Sequence, residues 1–348
     1  MQNRKKKKAN EKPLFKRVAC FTDIHFGLKN NSKLHNEDCL NFVKWFISVT
    51  KENECETCIF LGDWHHNRAS LNVHTLNYSL EALTLLNNAF DNVYFINGNH
   101  DLYYRDTREL NSIEFNKLLS NFTQVNEPLV KGDVAIVPWL VSNEWKSIQK
   151  INCKYMFGHF ELPNFYMNAL VKMPDHGTIN ESHLSGPDLV FSGHFHKRQT
   201  KGNIVYMGNA FPHNYADSWD DERGMMWFEW DTDPTFITWP KQPTYKTLKL
   251  TNLLHDPEKY LSTKGSLRIQ IDVDITYEEA NFIKDLFTQI YALREFALMP
   301  SKDTEHEEGE TVGEIQFKSV DQIVITHLQD IQSEAFDPRI LVAIYNSL

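Results

Sequence analysis

The run Val93-Tyr94-Phe95-Ile96-Asn97-Gly98-Asn99-His100-Asp101 decides how this chain is read. Four apolar residues, enough for a short buried strand, stop abruptly at an amide, a glycine, a second amide, an imidazole and a carboxylate. The same shape recurs four times. Asp23-Ile24-His25 follows the apolar run 18–21, and Gly62-Asp63-Trp64-His65-His66 follows 57–61. Gly158-His159 follows 155–157, and Gly193-His194-Phe195-His196 follows 189–191. A single Gly-His would read as a turn or a satisfied core histidine. Ligand sites in open α/β sheets gather at the carboxyl ends of strands, so five such clusters are expected to converge.

Between these strands, 38–50 and 73–90 carry helical apolar spacing, which makes residues 17 to about 120 a βαβαβ series with a mainly parallel sheet. From 134 to 240 the pattern turns to short strands at 134–137, 155–157, 189–191, 204–207, 225–230 and 236–239. Residues 241–264 are polar, broken by Pro243 and Pro257, and read as a linker. Alternation over 267–273, a capping box at Thr276-x-x-Glu279, a helix bearing Ala280, Ile283, Leu286, Phe287 and Ile290, and a strand at 295–299 make a small βαβ-like unit over 265–300. Five acids between 303 and 310 mark a flexible loop over 301–316. Two amphipathic stripes follow in 317–348, the second opened by Asp337-Pro338 as N-cap and first helical residue. That helix pair either docks on the body or binds a partner.

The chain has 348 residues and a formal net charge of −10. Arg4, Lys5, Lys6, Lys7, Lys8, Lys12, Lys16 and Arg17 against Glu11 give the first 17 residues +7, which leaves −17 for the rest. Residues 1–16 are therefore read as a disordered basic head, either a solvated tail or an arm that touches DNA or a partner. A body this acidic is a poor bulk binder of nucleic acid, so any phosphate chemistry needs a local site. No run of eighteen apolar residues exists, and no membrane span is expected. Five cysteines, odd and sparse, fit a reducing cytoplasm rather than a disulfide framework. Cys55-x-x-Cys58 lacks the further ligands of a zinc site and reads as ordinary buried thiols.

The strand-end residues suggest a two-metal site. Carboxylate oxygen with imidazole nitrogen suits Mn²⁺, Fe or Zn²⁺ better than Ca²⁺ or Mg²⁺. A carboxylate can bridge two ions, and Asn99 offers a carbonyl oxygen without charge. Two divalent ions about 3.5–4 Å apart clamp the attacking and leaving oxygens of a phosphoryl displacement and acidify a bound water. They bring +4 against the −2 of Asp23 and Asp63, so the site is positive inside an acidic protein.

In this order, D-x-H, G-D-x-x-H, G-N-H-D, G-H and G-H-x-H resemble the calcineurin-like metallophosphoesterases. Gly158-His159-Phe160-Glu161-Leu162, Val137-Pro138-Trp139, Ser192–His196 and Arg223-Gly224 before an aromatic strand are most similar to the SbcD-type double-strand-break nucleases, in particular their phage recombination endonuclease branch. The resemblance spans 17–240. It implies two packed β-sheets flanked by helices, an α/β/β/α sandwich of the α/β (α+β) class. It implies one metal on Asp23, His25, Asp63 and His196 and a second on Asp63, Asn99, His159 and His194, most often Mn²⁺. His100 would stand over the scissile phosphate, His66 near it, and Asp101 would orient a neighbour or simply serve the turn; His65 reads as local filler. Residues 265–300 would cap the site and recognise DNA shape. Residues 317–348 would bind the coiled coil of an SbcC-type ATPase. Helix 73–90, with Leu76, Leu80, Leu83 and Leu86, would be a homodimer face, although core burial explains that stripe equally well. The implied activity is exonuclease on duplex ends and endonuclease on single strands, in DNA recombination, repair and replication. The competing readings are a small-molecule phosphatase or phosphodiesterase of the same superfamily, and a non-catalytic scaffold.

Overall fold

The computed structural model describes residues 12–168 and 171–300. The expectations for residues 1–11, for the loop 301–316 and for the helix pair 317–348 lie outside the described residues. The first strands are Arg17–Phe21 (β1), Thr57–Phe60 (β2), Asn92–Ile96 (β3) and Phe122–Val125 (β4). Leu129–Lys131 (β5), Val134–Val137 (β6), Tyr155–His159 (β7), Leu189–Gly193 (β8), Gln199–Lys201 (β9) and Ile204–Tyr206 (β10) come next. Gly224–Glu229 (β11) and Thr235–Thr238 (β12) complete the set. They form two six-stranded sheets, ordered β12-β11-β1-β2-β3-β4 and β5-β6-β7-β8-β10-β9. β1 to β4 are parallel, as are β6, β7, β8 and β10; antiparallel strands close the edges formed by β11, β12, β5 and β9.

The sheets pack face to face, and side-chain alternation along each strand divides the core. Val18, Cys20, Ile59, Leu61 and Ile96 meet Val134, Ile136, Phe157 and Phe191 between the sheets. The alternate residues Ala19, Phe21, Phe60 and Phe95 face outward under Lys33–Glu52 (α1) and Val73–Ala89 (α2), against Phe42, Phe46, Leu83 and Leu86. Burial on both faces is why these strands read as unbroken apolar runs. The outer face of the second sheet, with Ala135 and Val137, lies under Phe160, Phe165, Ile179 and Leu184 from loops and short helical turns. Each fully buried Phe contributes about 1.5–3 kcal/mol. The architecture is the expected two-sheet sandwich flanked by helices.

Several expectations are corrected. The head is not disordered throughout: Phe15 is buried and sets its ring 5.5 Å from Trp230 and 6.1 Å from Phe157. The apolar pair Leu14-Phe15 plugs the open end of the inter-sheet core. On α2, Leu83 and Leu86 enter the core but Leu80 stays exposed, so the leucines do not form one face. The stretch 241–264 is not a linker, because Thr244–Lys249 (β13) pairs in parallel with Gly265–Ile271 (β14). Glu295–Pro300 (β15) pairs in parallel on the other side of β14, with Tyr277–Tyr291 (α3) as the crossover. The polar look of β13 comes from its edge position, where Thr and Lys alternate with buried Tyr245 and Leu248. α3 opens on the expected capping box, the Thr276 hydroxyl accepting from Glu279 N and the Glu279 carboxylate from Thr276 N. Its inward stripe is Ala280, Ile283, Phe287 and Tyr291, whereas Leu286 and Ile290 are exposed. The small unit is moored to α1 by the buried Asp38, whose carboxylate receives Arg294 at 2.5 and 2.9 Å and Lys264 at 3.1 Å.

Candidate metal centre

Because the parallel strands of both sheets end on the same side, the five polar clusters meet there. The backbone is bent to bring them in. Asp23, His25, Asp63 and His194 all have left-handed φ, at 50°, 53°, 63° and 86°. Such strain in non-glycine residues persists only where surrounding structure imposes it. Close approach also demands glycine: a Cβ on Gly98 would collide with the Asp63 carboxylate, and one on Gly193 with the Thr22 hydroxyl.

Three groups of side chains gather closely enough to share an ion: Asp23, His25 and His196; Asp63, His159 and His194; and His25, His66 and His100. His25 Nε2 lies 3.9 Å from Asp23 Oδ1 and 3.7 Å from Asp63 Oδ2. His196 Nε2 is 4.0 Å from Asp23 Oδ1, and His159 Nε2 is 3.6 Å from Asp63 Oδ2. These separations are too long for hydrogen bonds, yet two ligands each about 2.0–2.2 Å from one ion can span them. Asp63 Oδ2 therefore faces both of the first two groups. Asn99 Oδ1 completes the second, 3.2 Å from His159 Nε2 and 3.0 Å from His194 Nδ1.

The unpaired atoms point the same way. Asp23 Oδ1 and both ring nitrogens of His25 are buried without a hydrogen-bond partner. A buried carboxylate oxygen beside bare imidazole nitrogens is costly unless a cation sits between them, so the donor set fits divalent metal. The other atoms of these residues are fixed. Asp23 Oδ2 accepts from the Thr22 hydroxyl at 2.6 Å and from His194 N at 3.0 Å. Asp63 Oδ1 accepts from His100 N at 2.9 Å. His159 donates Nδ1–H to the Leu61 carbonyl at 2.6 Å, which leaves Nε2 for the centre.

Charge follows burial. His25 is held well below the ordinary histidine value because its buried ring resists protonation. Burial also works against a charged His159, but the Asp63 carboxylate outweighs it and raises His159 to about 9. Without metal the second group thus holds a proton that an ion must displace.

Asp101 is fully buried, and its two oxygens accept from the N–H groups of Asp63, Trp64, His65 and Gly98 at 2.9–3.1 Å. Burial and the neighbouring Asp63 charge push its pKa up to about 7, against the pull of those N–H groups. It braces the loop that carries Asp63. His100 donates from Nδ1 to the His66 carbonyl at 2.8 Å, so its Nε2 is free, and its ring lies 4.9 Å from His25 and 5.2 Å from His66. His65 stands apart, bonded to Ser112 and Ser79 at 2.9 Å each.

Sequence reasoning missed His213 and His35 and gave Glu161 and Trp139, which it quoted only within family motifs, no role. His213 donates Nε2–H to the Asp23 carbonyl at 2.9 Å, and His35 donates to the His25 carbonyl at 3.0 Å. The His213 ring meets those of His25, His196 and His35 edge-on at 5.4–5.5 Å, and burial lowers both His213 and His35, the latter to about 4. His213 follows the end of β10, so the strand-end rule applied to Gly208–His213 would have found it. Glu161 accepts from His194 Nε2 at 3.0 Å, and Trp139 lies 5.0 Å from the His194 ring and 5.8 Å from that of His159. His35 sits inside a helix and carries no sequence signal.

No helix among the described residues is long and apolar enough to cross a membrane. The chain is 25% identical over 323 residues to exonuclease subunit 1 of Enterobacteria phage T4, covering 89% of this chain and 91% of that protein. Among solved structures, the Pseudomonas putida nuclease MPE aligns at 20% identity and TM-score 0.29, over 54% of this chain and 66% of that one. A dimetal phosphatase from Danio rerio aligns at 11% identity and TM-score 0.39, over 65% and 99%. The sequence profile of the calcineurin-like phosphoesterases matches residues 16–198, more than half of the chain. With that match, and with divalent metal fitting the cluster at the strand ends, the chain belongs to the calcineurin-like phosphoesterase family.

Proposed function

We propose that this protein is a two-metal DNA nuclease subunit that works with a coiled-coil ATPase of the SbcC type. The carrying observation is Asp63, whose Oδ2 stands 3.7 Å from His25 Nε2 and 3.6 Å from His159 Nε2 and so serves two adjoining sets of donors. In this reading Asp23, His25, Asp63 and His196 hold one ion, and Asp63, Asn99, His159 and His194 the other. When bound, the pair, taken to be Mn²⁺, supplies Lewis acidity and a water acidified to hydroxide.

The rest falls to the chain itself. His100, with Nδ1 tied to the His66 carbonyl, presents Nε2 toward the phosphate. There it stabilises the developing charge or protonates the leaving oxygen. His66 lies beside it, against the phosphate. Asp101 holds the Asp63 loop in register. The small unit over 244–300 caps the site and selects DNA shape, and 317–348 recruits the ATPase. Exonuclease action, the presence of a partner subunit and a phage setting are supported by the likeness to the phage T4 exonuclease subunit; the DNA substrate, the SbcC type of the partner and the cytoplasm of an infected bacterium extend that reading. Exonuclease action on duplex ends and endonuclease action on single strands belong to the same proposal.

The test incubates the protein with labelled linear duplex and with a small chromogenic phosphodiester, with Mn²⁺ or with EDTA. DNA degradation that requires Mn²⁺ and is lost in His100→Ala is the expected result. Hydrolysis of the small diester alone would point to a small-molecule phosphodiesterase instead. Deleting 317–348 should abolish co-purification with the ATPase and spare basal nuclease activity.

A further inference from the structure

Beside the second group of donors lies a cavity of about 130 Å³ that the reaction described above does not use. Its apolar wall is Trp139, Trp145, Phe160 and Ile179, and its polar side is Ser142, Thr178, His159 and Glu161. A cavity of roughly 150 Å³ has room for a single aromatic ring such as benzene, and a nucleobase offers a flat face to the aromatic wall and polar edges to the polar side. We infer that this cavity is a nucleobase subsite, which receives one unstacked base of the strand whose phosphate lies at the metals. The inference rests on the nuclease reading and extends it to how the strand is held.

The walls are built in advance. Trp139 donates its backbone N–H to the Asn97 carbonyl at 2.9 Å, and its own carbonyl accepts from Arg108 at 2.7 Å. Arg108 then grips Glu144 through two hydrogen bonds of 2.6 and 2.7 Å, one residue before Trp145. Glu144 also accepts from Val141 N at 3.0 Å, closing the turn between the two tryptophans. Rigid aromatic walls bind a flat ring with little ordering cost, and bases of any sequence stack on them. Trp139 packs on His159 and His194. A change there would disturb the centre, and Trp145 is the cleaner probe.

The experiment compares a short oligothymidylate with a base-free tetrahydrofuran phosphodiester of the same length, both as single strands with Mn²⁺. The wild type should cut the thymidine strand roughly tenfold or more faster in kcat/KM, the weight of one base–aromatic stack. Trp145→Ala should erase that preference by slowing the thymidine strand alone, and Trp145→Phe should retain it. Unchanged cleavage of the base-free strand by Trp145→Ala shows that the variant is folded. Equal rates on both strands in the wild type, or an equal fall on both in Trp145→Ala, overturns the subsite and leaves the nuclease reading intact. If neither strand is cut while the chromogenic diester is hydrolysed, the nuclease reading fails and the subsite with it.

Discussion

The backbone N–H of His194, at the end of β8, donates to Asp23 Oδ2, just past the end of β1, at 3.0 Å. That bond joins the two sheets across 171 residues of chain. It also turns Asp23 Oδ1 toward His25 and His196. A hydrogen bond that ties the sheets together thus also aims the carboxylate.

Metal should therefore act as a structural clamp as well as a reagent. At free Mn²⁺ about a hundredfold above its Kd, binding to the native state should add about 2.7 kcal/mol of stability per site. Asp63→Asn, at the shared position, should lose most of both ions, and His196→Ala chiefly one. Metal content after desalting and denaturant midpoints with and without EDTA measure this. Equal loss of both ions in His196→Ala would rule out separable sites.

Asp101 should matter for stability more than its place in the centre suggests. Asp101→Ala strands four buried N–H groups that the carboxylate now satisfies. The cost should be about 3 kcal/mol or more in urea unfolding of the metal-free protein. A loss below about 1 kcal/mol would mean that water takes over these bonds.

Glu144 predicts a pH dependence remote from the metals. Partial burial works to raise its pKa, but the Arg108 guanidinium and the Val141 N–H hold it below the ordinary glutamate value. Because the folded pKa is the lower one, the contribution is complete above about pH 4.3, the unfolded value. It disappears as the pH falls through the folded pKa. The Glu144 side chain is 35% exposed and so open to solvent screening, and Glu144→Gln should cost no more than about 1 kcal/mol at pH 7 and nothing in strong acid. A stability difference that persists at low pH would contradict the ion-pair origin.

Asp38 should control how firmly the small unit is held. Its replacement by Ala leaves Arg294 and Lys264 without their buried partner, at a cost of about 2–4 kcal/mol. Hydrogen exchange should rise in β14 and α3, with hydrolysis of a small diester unchanged. If the DNA-to-diester activity ratio does not fall, the small unit plays no part in holding DNA.

The fold was legible wherever the determinants were local. A strand buried on both faces must be apolar throughout, so 18–21, 57–61, 134–137 and 189–191 stood out. A strand ending in Gly, Asp, Asn or His marks its own carboxyl end. Those two signals produced the parallel sheet with its helical crossovers and the convergent cluster, whereas the two-sheet sandwich came from the family resemblance. The β13 strand was hidden because an edge strand tolerates Thr and Lys. Helical spacing counts Leu286 and Ile290 among the apolar positions of α3 but cannot say how wide the buried stripe is, and both are exposed.

From the sequence alone came most of the buried strands, the chemistry of their ends and the expectation that five clusters meet. Tertiary structure alone decided that Asp63 faces two donor groups, that His35 and His213 support the first, that Asp38 moors the small unit, and that two tryptophans enclose a cavity beside His159. Each of these depends on atoms brought within a few ångströms from distant parts of the chain. Strand and helix periodicity is set by neighbours along the backbone, but such meetings are set by how two sheets pack, and no local pattern encodes that.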